Sequence, residues 1–212
     1  MRIAVLGASG AVGSALVREA RFRGHDVSGV VRRRPAECSD QGLRWIVADA
    51  ASLAEMLTVA ANHDVVVSAT RPRAGSEHEL VQVARVVLTA VTRTGHRALL
   101  VGGAATLHVP GGESRLVLDD ERYLPRAARS IARACAAQHE ICEADQGADW
   151  TYLSPPARLF VGARTGAYRL GSDELVVDAE GDSSISIADL AVALLDEIDR
   201  PRHRRRRFTV AY

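Results

Sequence analysis

Three glycines stand at intervals of three residues near the start of the chain, in the sequence GASGAVG. An aliphatic run precedes them and a helical pattern follows. Glycine permits a tight turn and a close approach of backbone to ligand, and the first turn of a helix offers unpaired N–H groups and partial positive charge to phosphates. The spacing therefore predicts a dinucleotide site. The expected cofactor contacts from this motif are Gly7, Ser9, Gly10, Ala11, Val12 and Gly13.

The second predicted strand ends in VVRRR, and in a parallel sheet of this kind the ribose-binding side chain belongs at that tip. An acidic residue there would bind the ribose hydroxyl of NAD(H), but Asp26 lies at the start of the strand, the wrong end of the sheet. Arg32 and Arg33 occupy the tip instead, and a guanidinium holds the 2′-phosphate of NADP(H) by charge-assisted, bidentate hydrogen bonds. The sequence therefore favours NADP(H) over NAD(H).

The ends of the third and fourth predicted strands supply further candidates. Asp49 is placed either to hydrogen-bond the adenine amine or to cap the helix after it, and both interpretations stay open. Ala69 and Thr70 end the fourth strand, where we expect backbone and hydroxyl to line the cofactor.

Short β-rich runs alternate with longer helical patterns, which is typical of a parallel sheet with helices on both faces. We predict one α/β domain over 1–212, a Rossmann-type doubly wound sheet. Its C-terminal segment, 156–212, should pack over the sheet edge as a hairpin within 161–184, a helix capped by Ser186 and a last strand. The predicted strands are 2–7, 26–32, 43–49, 64–70, 97–103 and 149–155. The predicted helices before that segment are 11–23, 53–61, 77–94 and 124–146.

The composition excludes several kinds of enzyme. The chain has no lysine, so all 27 basic side chains are arginine. Schiff-base enzymes, P-loop NTPases and sites that pair a tyrosine with a lysine all need that amine. The net charge is +1, which indicates no nucleic-acid partner, and we interpret the basic run 202–207 as a solvated turn rather than a nucleic-acid patch.

The cysteines and the apolar runs indicate the expected cellular compartment. Cys38, Cys135 and Cys142 have no CxxC spacing, so we expect structural thiols rather than disulfides or a metal site. The longest apolar runs are too short for a membrane span, and the first residues lack the features of a signal peptide. We therefore expect a cytoplasmic protein without membrane contact.

Several segments of the chain together resemble a known family, the atypical short-chain dehydrogenase/reductases. Within it, the chain is similar to the NAD(P)-binding proteins labelled NADH-flavin reductases, which are kin to biliverdin reductase B. The resemblance implies an NADPH fold with a shallow substrate pocket over the nicotinamide, with Gly102 and Pro155 among the cofactor-binding residues. The segments that carry it are GASGAVG, VGGAATL (101–107), DWTYLSPPARL (149–159), RTGAYRLG (164–171), LVVDAEGDSSISIADLAVALLDE (175–197) and the closing FTVAY.

The wider superfamily handles the proton of hydride transfer with a serine and a Tyr-x-x-x-Lys pair. Here Tyr123 is followed four residues later by Ala127, so the chain lacks that pair and we do not expect the standard alcohol–ketone mechanism. A flavin or quinone ring accepts hydride directly and takes its proton from water or a weak acid, so positioning then supplies most of the catalysis. The candidates for contact with the acceptor or for proton donation are Thr106, His108, Tyr123 and Ser154. His139, on the long helix, is expected at the surface.

The leading interpretation is an NADPH-dependent oxidoreductase with a flavin, a quinone or a similar small aromatic acceptor as its partner. One alternative is a regulator that senses dinucleotide without turning it over. Another is a tailoring enzyme of specialised metabolism, acting as a reductase, dehydratase or isomerase. A homodimer is also left open.

Overall fold

A computed structural model describes residues 1–34, 42–112 and 114–212, and within them the chain forms ten strands and five α-helices. The strands are β1 (Arg2–Leu6), β2 (Asp26–Val31), β3 (Arg44–Val47), β4 (Val65–Ser68), β5 (Arg97–Val101), β6 (Asp149–Ser154), β7 (Arg158–Phe160), β8 (Arg169–Gly171), β9 (Ser184–Ser186) and β10 (Arg206–Ala211). The helices are α1 (Ala11–Phe22), α2 (Leu53–Ala61), α3 (Glu79–Thr94), α4 (Arg129–Ala144) and α5 (Ile187–Asp199).

The main sheet has the strand order β3-β2-β1-β4-β5-β6-β10-β8. Its strands are parallel except β8, which runs antiparallel to β10. The first six strands follow the doubly wound order, and the direction of winding reverses between β1 and β4. The predicted Rossmann-type fold is confirmed. Ligands of such sheets bind in the crevice at the carboxyl ends of the strands where the order reverses, so the fold assigns the site to this position.

The core lies in two layers, one on each face of the sheet. Alternate residues of a strand point to opposite faces, so Ile3 and Val5 pack with α1 and α5, whereas Ala4 and Leu6 pack with α2, α3 and α4. Because both faces of the central strands are buried, these strands are almost continuously aliphatic and contribute side chains to both core layers.

Helix α1 approaches the turn after β1 closely because two glycines meet there. A Cβ at Gly13 would lie far inside contact distance of the Gly7 carbonyl oxygen, and Gly7 itself has φ +77°. An L-residue rarely adopts that conformation. This close packing fixes the first turn of α1 at the carboxyl end of β1.

The far end of α1 is held by an ion-pair network around Glu19, which is 5% exposed. Its carboxylate accepts hydrogen bonds from Arg164 (2.7 and 2.9 Å) and from Arg23 (2.8 Å). Arg23 also pairs with Asp196 and Asp199 of α5. The network thereby connects α1 to α5 and to the segment before β8.

The C-terminal segment differs from its prediction in one element. The expected hairpin within 161–184 is wrong, because β8 pairs with β10 instead of with a neighbour inside that segment. The last strand, β10, joins the main sheet beside β6, and α5 packs on α1. Ser186 caps α5 as predicted, since its hydroxyl accepts a hydrogen bond from the Asp189 N–H (3.0 Å).

Two corrections concern α4. It begins at Arg129 rather than near residue 124, because Pro125 precedes a short 3-10 helix over Arg126–Ala128. His139 is 3% exposed and its ring packs against Tyr152 with 4.7 Å between centroids, so the predicted surface position is wrong. Burial lowers the pKa of His139 to about 4.

The cysteines that the structure describes are buried free thiols. Burial raises the pKa of Cys135 to about 11 and that of Cys142 to about 12, as suits inert core groups. Cys38 lies outside the described residues. No helix in the described ranges is long and apolar enough to cross a membrane.

Most of the basic run 202–207 is engaged in contacts within the protein. Arg204 pairs with Asp149, and Arg205 donates a hydrogen bond to the Asp145 carbonyl. Arg207 is 9% exposed in its side chain and pairs with Asp173. The run is therefore only partly a turn, because β10 begins at Arg206 and because Arg204 and Arg207 each pair with a carboxylate.

We predict that Glu19→Gln destabilises the protein at pH 7 by about 2 kcal/mol, less than for a fully buried pair because Arg164 is half exposed. Hydrogen bonding to Arg164 lowers the pKa of Glu19 in the folded state. The contribution of the ionised Glu19 to the free energy of unfolding is therefore complete above its pKa in the unfolded chain, near 4.3. That contribution is lost as the pH falls through the lower pKa of the folded state. Urea unfolding at pH 7 and pH 3 checks this: the gap between wild type and variant should shrink in acid, and a constant gap would contradict the assignment.

Candidate functional site

A cleft of about 1020 Å³ lies at the carboxyl ends of β1, β2 and β4, where the strand order reverses. Its size suits a ligand larger than a simple metabolite. Of the predicted cofactor contacts, those that line it are Gly7, Ser9, Gly10, Ala11, Val12, Arg32, Arg33, Asp49, Ala69 and Thr70.

The turn from β1 into α1 forms one wall of the cleft. The Gly7 N–H donates to the Val30 carbonyl (3.0 Å), and the Gly10 N–H donates to the Gly7 carbonyl (2.9 Å). The first N–H bonded within α1 is that of Ser14, to the Gly10 carbonyl (2.8 Å). Ala11 and Val12 therefore present N–H groups that α1 itself does not use.

The charge at this helix end suits an anion. The N-cap is Gly10, which has no side chain to occupy the cap, and the first turn of α1 contains no acidic residue. The positive end of the helix dipole consequently faces the cleft without a competing carboxylate. A Cβ at Gly7 would come within 2.7 Å of the Ala69 carbonyl oxygen, so the wall also depends on glycine for the approach of β4. These features fit the pyrophosphate of a dinucleotide.

Arginine side chains from the end of β2 line another part of the cleft. Arg32 lies within 3.4 Å of the Glu79 carboxylate at the start of α3 (Nη1 to Oε2), and Arg33 is exposed. Asp49 also lines the cleft, where its Oδ1 accepts a hydrogen bond from the Ala51 N–H (3.0 Å). The cap of α2 is Ser52 and not Asp49, so the capping interpretation of Asp49 is wrong.

The loop after β4 adds residues that the sequence analysis missed. Arg71 and Arg73, one and three residues after Thr70, line the cleft, as does His78. The signal was present in the sequence ATRPR, because residues just past a strand that borders the reversal of strand order must face the crevice.

Three predicted cofactor contacts are not among the residues that line this cleft. Gly13 faces the Gly7 carbonyl, as described above. A Cβ at Gly102 would collide with the Tyr152 hydroxyl, which donates to the Cys135 carbonyl (2.9 Å). Pro155 is buried directly after β6. For Gly13 and Gly102, packing alone accounts for the absence of a side chain.

The candidates for acceptor contact lie outside the cleft lining, and two of them occupy the loop after β5. Arg207 donates to the Thr106 hydroxyl (2.6 Å) and to its carbonyl (3.1 Å). Thr106 thus keeps its own hydroxyl hydrogen for another partner. The neighbouring His108 is exposed, and its backbone N–H donates to the Asp173 carbonyl (2.8 Å).

The other two candidates are constrained differently. The Tyr123 hydroxyl donates to the Gly181 carbonyl (3.0 Å), which ties the loop after β5 to the segment after β8. Ser154 ends β6 and is fully buried, with no hydrogen-bond partner for its hydroxyl among the described residues. Thr106 and His108 are therefore the candidates that are neither fully buried nor bonded through their own proton to another group in the described part of the chain.

Comparison with known proteins places this geometry in a family. A family model described as NAD(P)H-binding matches residues 7–201. The chain belongs to this NAD(P)H-binding family. The match begins at Gly7, the first glycine of the turn that forms the cleft wall.

Relatives extend over nearly the whole chain. It is 36% identical over 217 residues to YwnB of Bacillus subtilis, a protein without an assigned function, covering 99% of this chain and 98% of that protein. A Bacteroides thetaiotaomicron structure, named an epimerase by inference, is 36% identical with a TM-score of 0.90, covering 100% and 96%. A Streptococcus pneumoniae structure, named an NADH-flavin reductase by inference, is 27% identical with a TM-score of 0.88, covering 100% and 99%. The resemblance stated from the sequence is confirmed.

We predict that Gly10→Val weakens NADPH binding at least a hundredfold while the fold persists. Gly10 has φ −79°, which valine tolerates, and an added Cβ meets the Gly7 carbonyl oxygen at 3.3 Å. The larger side chain would therefore project into the space that the pyrophosphate needs. NADPH titration by calorimetry, with thermal unfolding on the same sample, measures both effects.

The matched control for Gly10→Val is Ala54→Val, which adds bulk on the exposed surface of α2 outside the cleft. It should bind NADPH as the wild type does. Unchanged affinity in Gly10→Val would remove the α1 turn from the binding site.

Proposed function

We propose that this protein is an NADPH-dependent oxidoreductase that passes hydride to a flavin, a quinone or a similar aromatic acceptor. The observation that carries the proposal is the single cleft that both the uncapped start of α1 and the side chains of Arg32 and Arg33 line. Bound reduced nicotinamide would supply the hydride. Membership of the NAD(P)H-binding family and the likeness to the Streptococcus pneumoniae structure support the assignment.

The preference for NADPH rests on the charge at the end of β2. Arg32 and Arg33 are adjacent cations on the cleft wall, and a 2′-phosphate is a dianion with oxygens spaced for bidentate guanidinium contacts. NADH lacks that phosphate and would gain no such contact. The Ala11 and Val12 N–H groups would hold the pyrophosphate that both cofactors share.

On the acceptor side, this chain contributes orientation and a proton rather than a nucleophile. Thr106 is fixed by Arg207 and can donate a hydrogen bond to a ring carbonyl or nitrogen. The imidazole of His108, exposed two residues further on, can act as a general acid. A ring that accepts hydride directly needs only a hydrogen bond that orients it and a source of one proton. A redox site of this kind therefore does not require a lysine.

The test is the loss of reduced-nicotinamide absorbance when the protein is mixed with NADPH and FMN, riboflavin or a quinone. Turnover with any of these acceptors supports the reductase. Tight binding of NADPH without turnover of any acceptor would contradict it.

One observation favours a second function, a regulator that senses dinucleotide without consuming it. The Tyr123 hydroxyl donates its hydrogen bond to the Gly181 carbonyl, and the Ser154 hydroxyl is fully buried, so two of the hydroxyls expected near the acceptor are not exposed to one. A sensor would bind oxidised and reduced cofactor and leave both unchanged with every acceptor.

We predict that the double variant Arg32→Ala/Arg33→Ala weakens NADPH binding about tenfold to a hundredfold and NADH binding less than threefold. The change removes the charged hydrogen bonds to the 2′-phosphate alone. Kd values for both cofactors check it. Arg18→Ala/Arg85→Ala, which removes the same charge from exposed helix positions, should change neither value much. Equal losses for both cofactors in the first variant would contradict the assignment.

We predict that His108→Ala lowers kcat about tenfold or more with a flavin acceptor while the Kd for NADPH stays unchanged, because a proton donor is lost and the cofactor cleft is untouched. His96→Ala serves as the control, since His96 lies at the opposite end of β5. A variant with wild-type kcat would exclude His108 as the donor.

A further inference from the structure

The contact between Arg32 and Glu79 joins two walls of the cleft. Arg32 follows β2, and Glu79 begins α3 after β4, while β1 lies between those two strands. Both side chains line the cleft, with 3.4 Å between Arg32 Nη1 and Glu79 Oε2. The ion pair therefore spans the part of the cleft where the 2′-phosphate of NADPH would bind.

The Arg32–Glu79 ion pair is exposed to solvent, so its two side chains can separate at little cost. The side chain of Arg32 is 57% exposed and that of Glu79 is 35% exposed, and an ion pair in such a position contributes little to stability because water and salt screen it. A phosphate dianion is a stronger partner for a guanidinium than one carboxylate. The neighbouring Arg33 has no hydrogen bond or ion pair with any residue that the structure describes, so it meets no such competitor.

We propose that Glu79 is a specificity-determining residue, whose carboxylate competes with the 2′-phosphate of NADPH for Arg32. When NADPH binds, its 2′-phosphate must either displace the Glu79 carboxylate from Arg32 or bind Arg32 together with it. In both cases a dianion comes near the Glu79 carboxylate. Binding of NADH leaves the pair intact. Glu79 consequently reduces the ratio of the NADH Kd to the NADPH Kd, which measures the preference for NADPH. This inference rests on the proposed function, because it presumes that Arg32 binds the 2′-phosphate.

The test is Glu79→Gln, which removes the charge but keeps an oxygen that can accept a hydrogen bond from Arg32. The Kd for NADPH should fall about fivefold, whereas the Kd for NADH should change less than twofold. Adenosine 2′,5′-bisphosphate and 5′-AMP should show the same contrast, which makes the readout independent of hydride transfer.

Glu77→Gln is the matched control. It removes the same charge two residues earlier, where the Glu77 carboxylate accepts a hydrogen bond from the Gly75 N–H (2.9 Å) and does not line the cleft. We expect it to leave the ratio of the two Kd values unchanged. A shift equal to that of Glu79→Gln would mean that general charge, not competition for Arg32, sets the preference, and would overturn the proposal.

Two further variants exclude a supporting role for Glu79. If Glu79 merely held Arg32 in place, Glu79→Ala would weaken NADPH binding, and that result would overturn the proposal. In the Arg32→Ala background, Glu79→Gln should alter the Kd for NADPH less than twofold, and an undiminished effect there would also overturn it.

The outcomes separate this inference from the proposed function. Binding of both cofactors with an unchanged ratio in Glu79→Gln overturns the role of Glu79 alone. Binding of neither cofactor to the wild type overturns both.

Discussion

The contact between Gly13 and the Gly7 carbonyl is the constraint on which the binding cleft depends. With hydrogen in place of a side chain at residue 13, α1 packs directly onto the turn after β1. That packing aims the unpaired N–H groups of the first helical turn at the crevice between β1 and β4. The Glu19 network secures the other end of the same helix to α5. Contacts at both ends of α1 therefore hold the helix in place. The anion site at its first turn consists of backbone N–H groups and uses no basic side chain from that turn.

The loops that the proposed function assigns to the acceptor are held in place by contacts with each other. The loops after β5 and β8 share a small apolar cluster that includes Leu107 and Leu175. Arg207 joins these loops, because its guanidinium donates to Thr106 in one and pairs with Asp173 in the other. The cofactor cleft is thus set by the sheet, whereas the position of Thr106 and His108 depends on contacts between loops. Residues on such loops can change without altering the cleft that the sheet forms.

Local patterns explain what could be predicted from the sequence. The glycine spacing, the alternating core residues and the Ser186 cap act over a few residues, so β1, α1 and α5 could be placed closely. The burial of His139, the pairing of β8 with β10 and the Arg207–Thr106 contact bring together residues far apart in the chain, up to 101 positions for the last. No local pattern contains that information. Arg71 and Arg73 could have been found, because they follow a strand that borders the reversal of strand order.

A crystal structure of the protein with NADP⁺ tests the central claim most directly. The account predicts the pyrophosphate against the N–H groups of Ala11 and Val12, and the 2′-phosphate within hydrogen-bond distance of Arg32 or Arg33. A dinucleotide whose pyrophosphate lies away from the start of α1, or whose 2′-phosphate points into solvent, would contradict it.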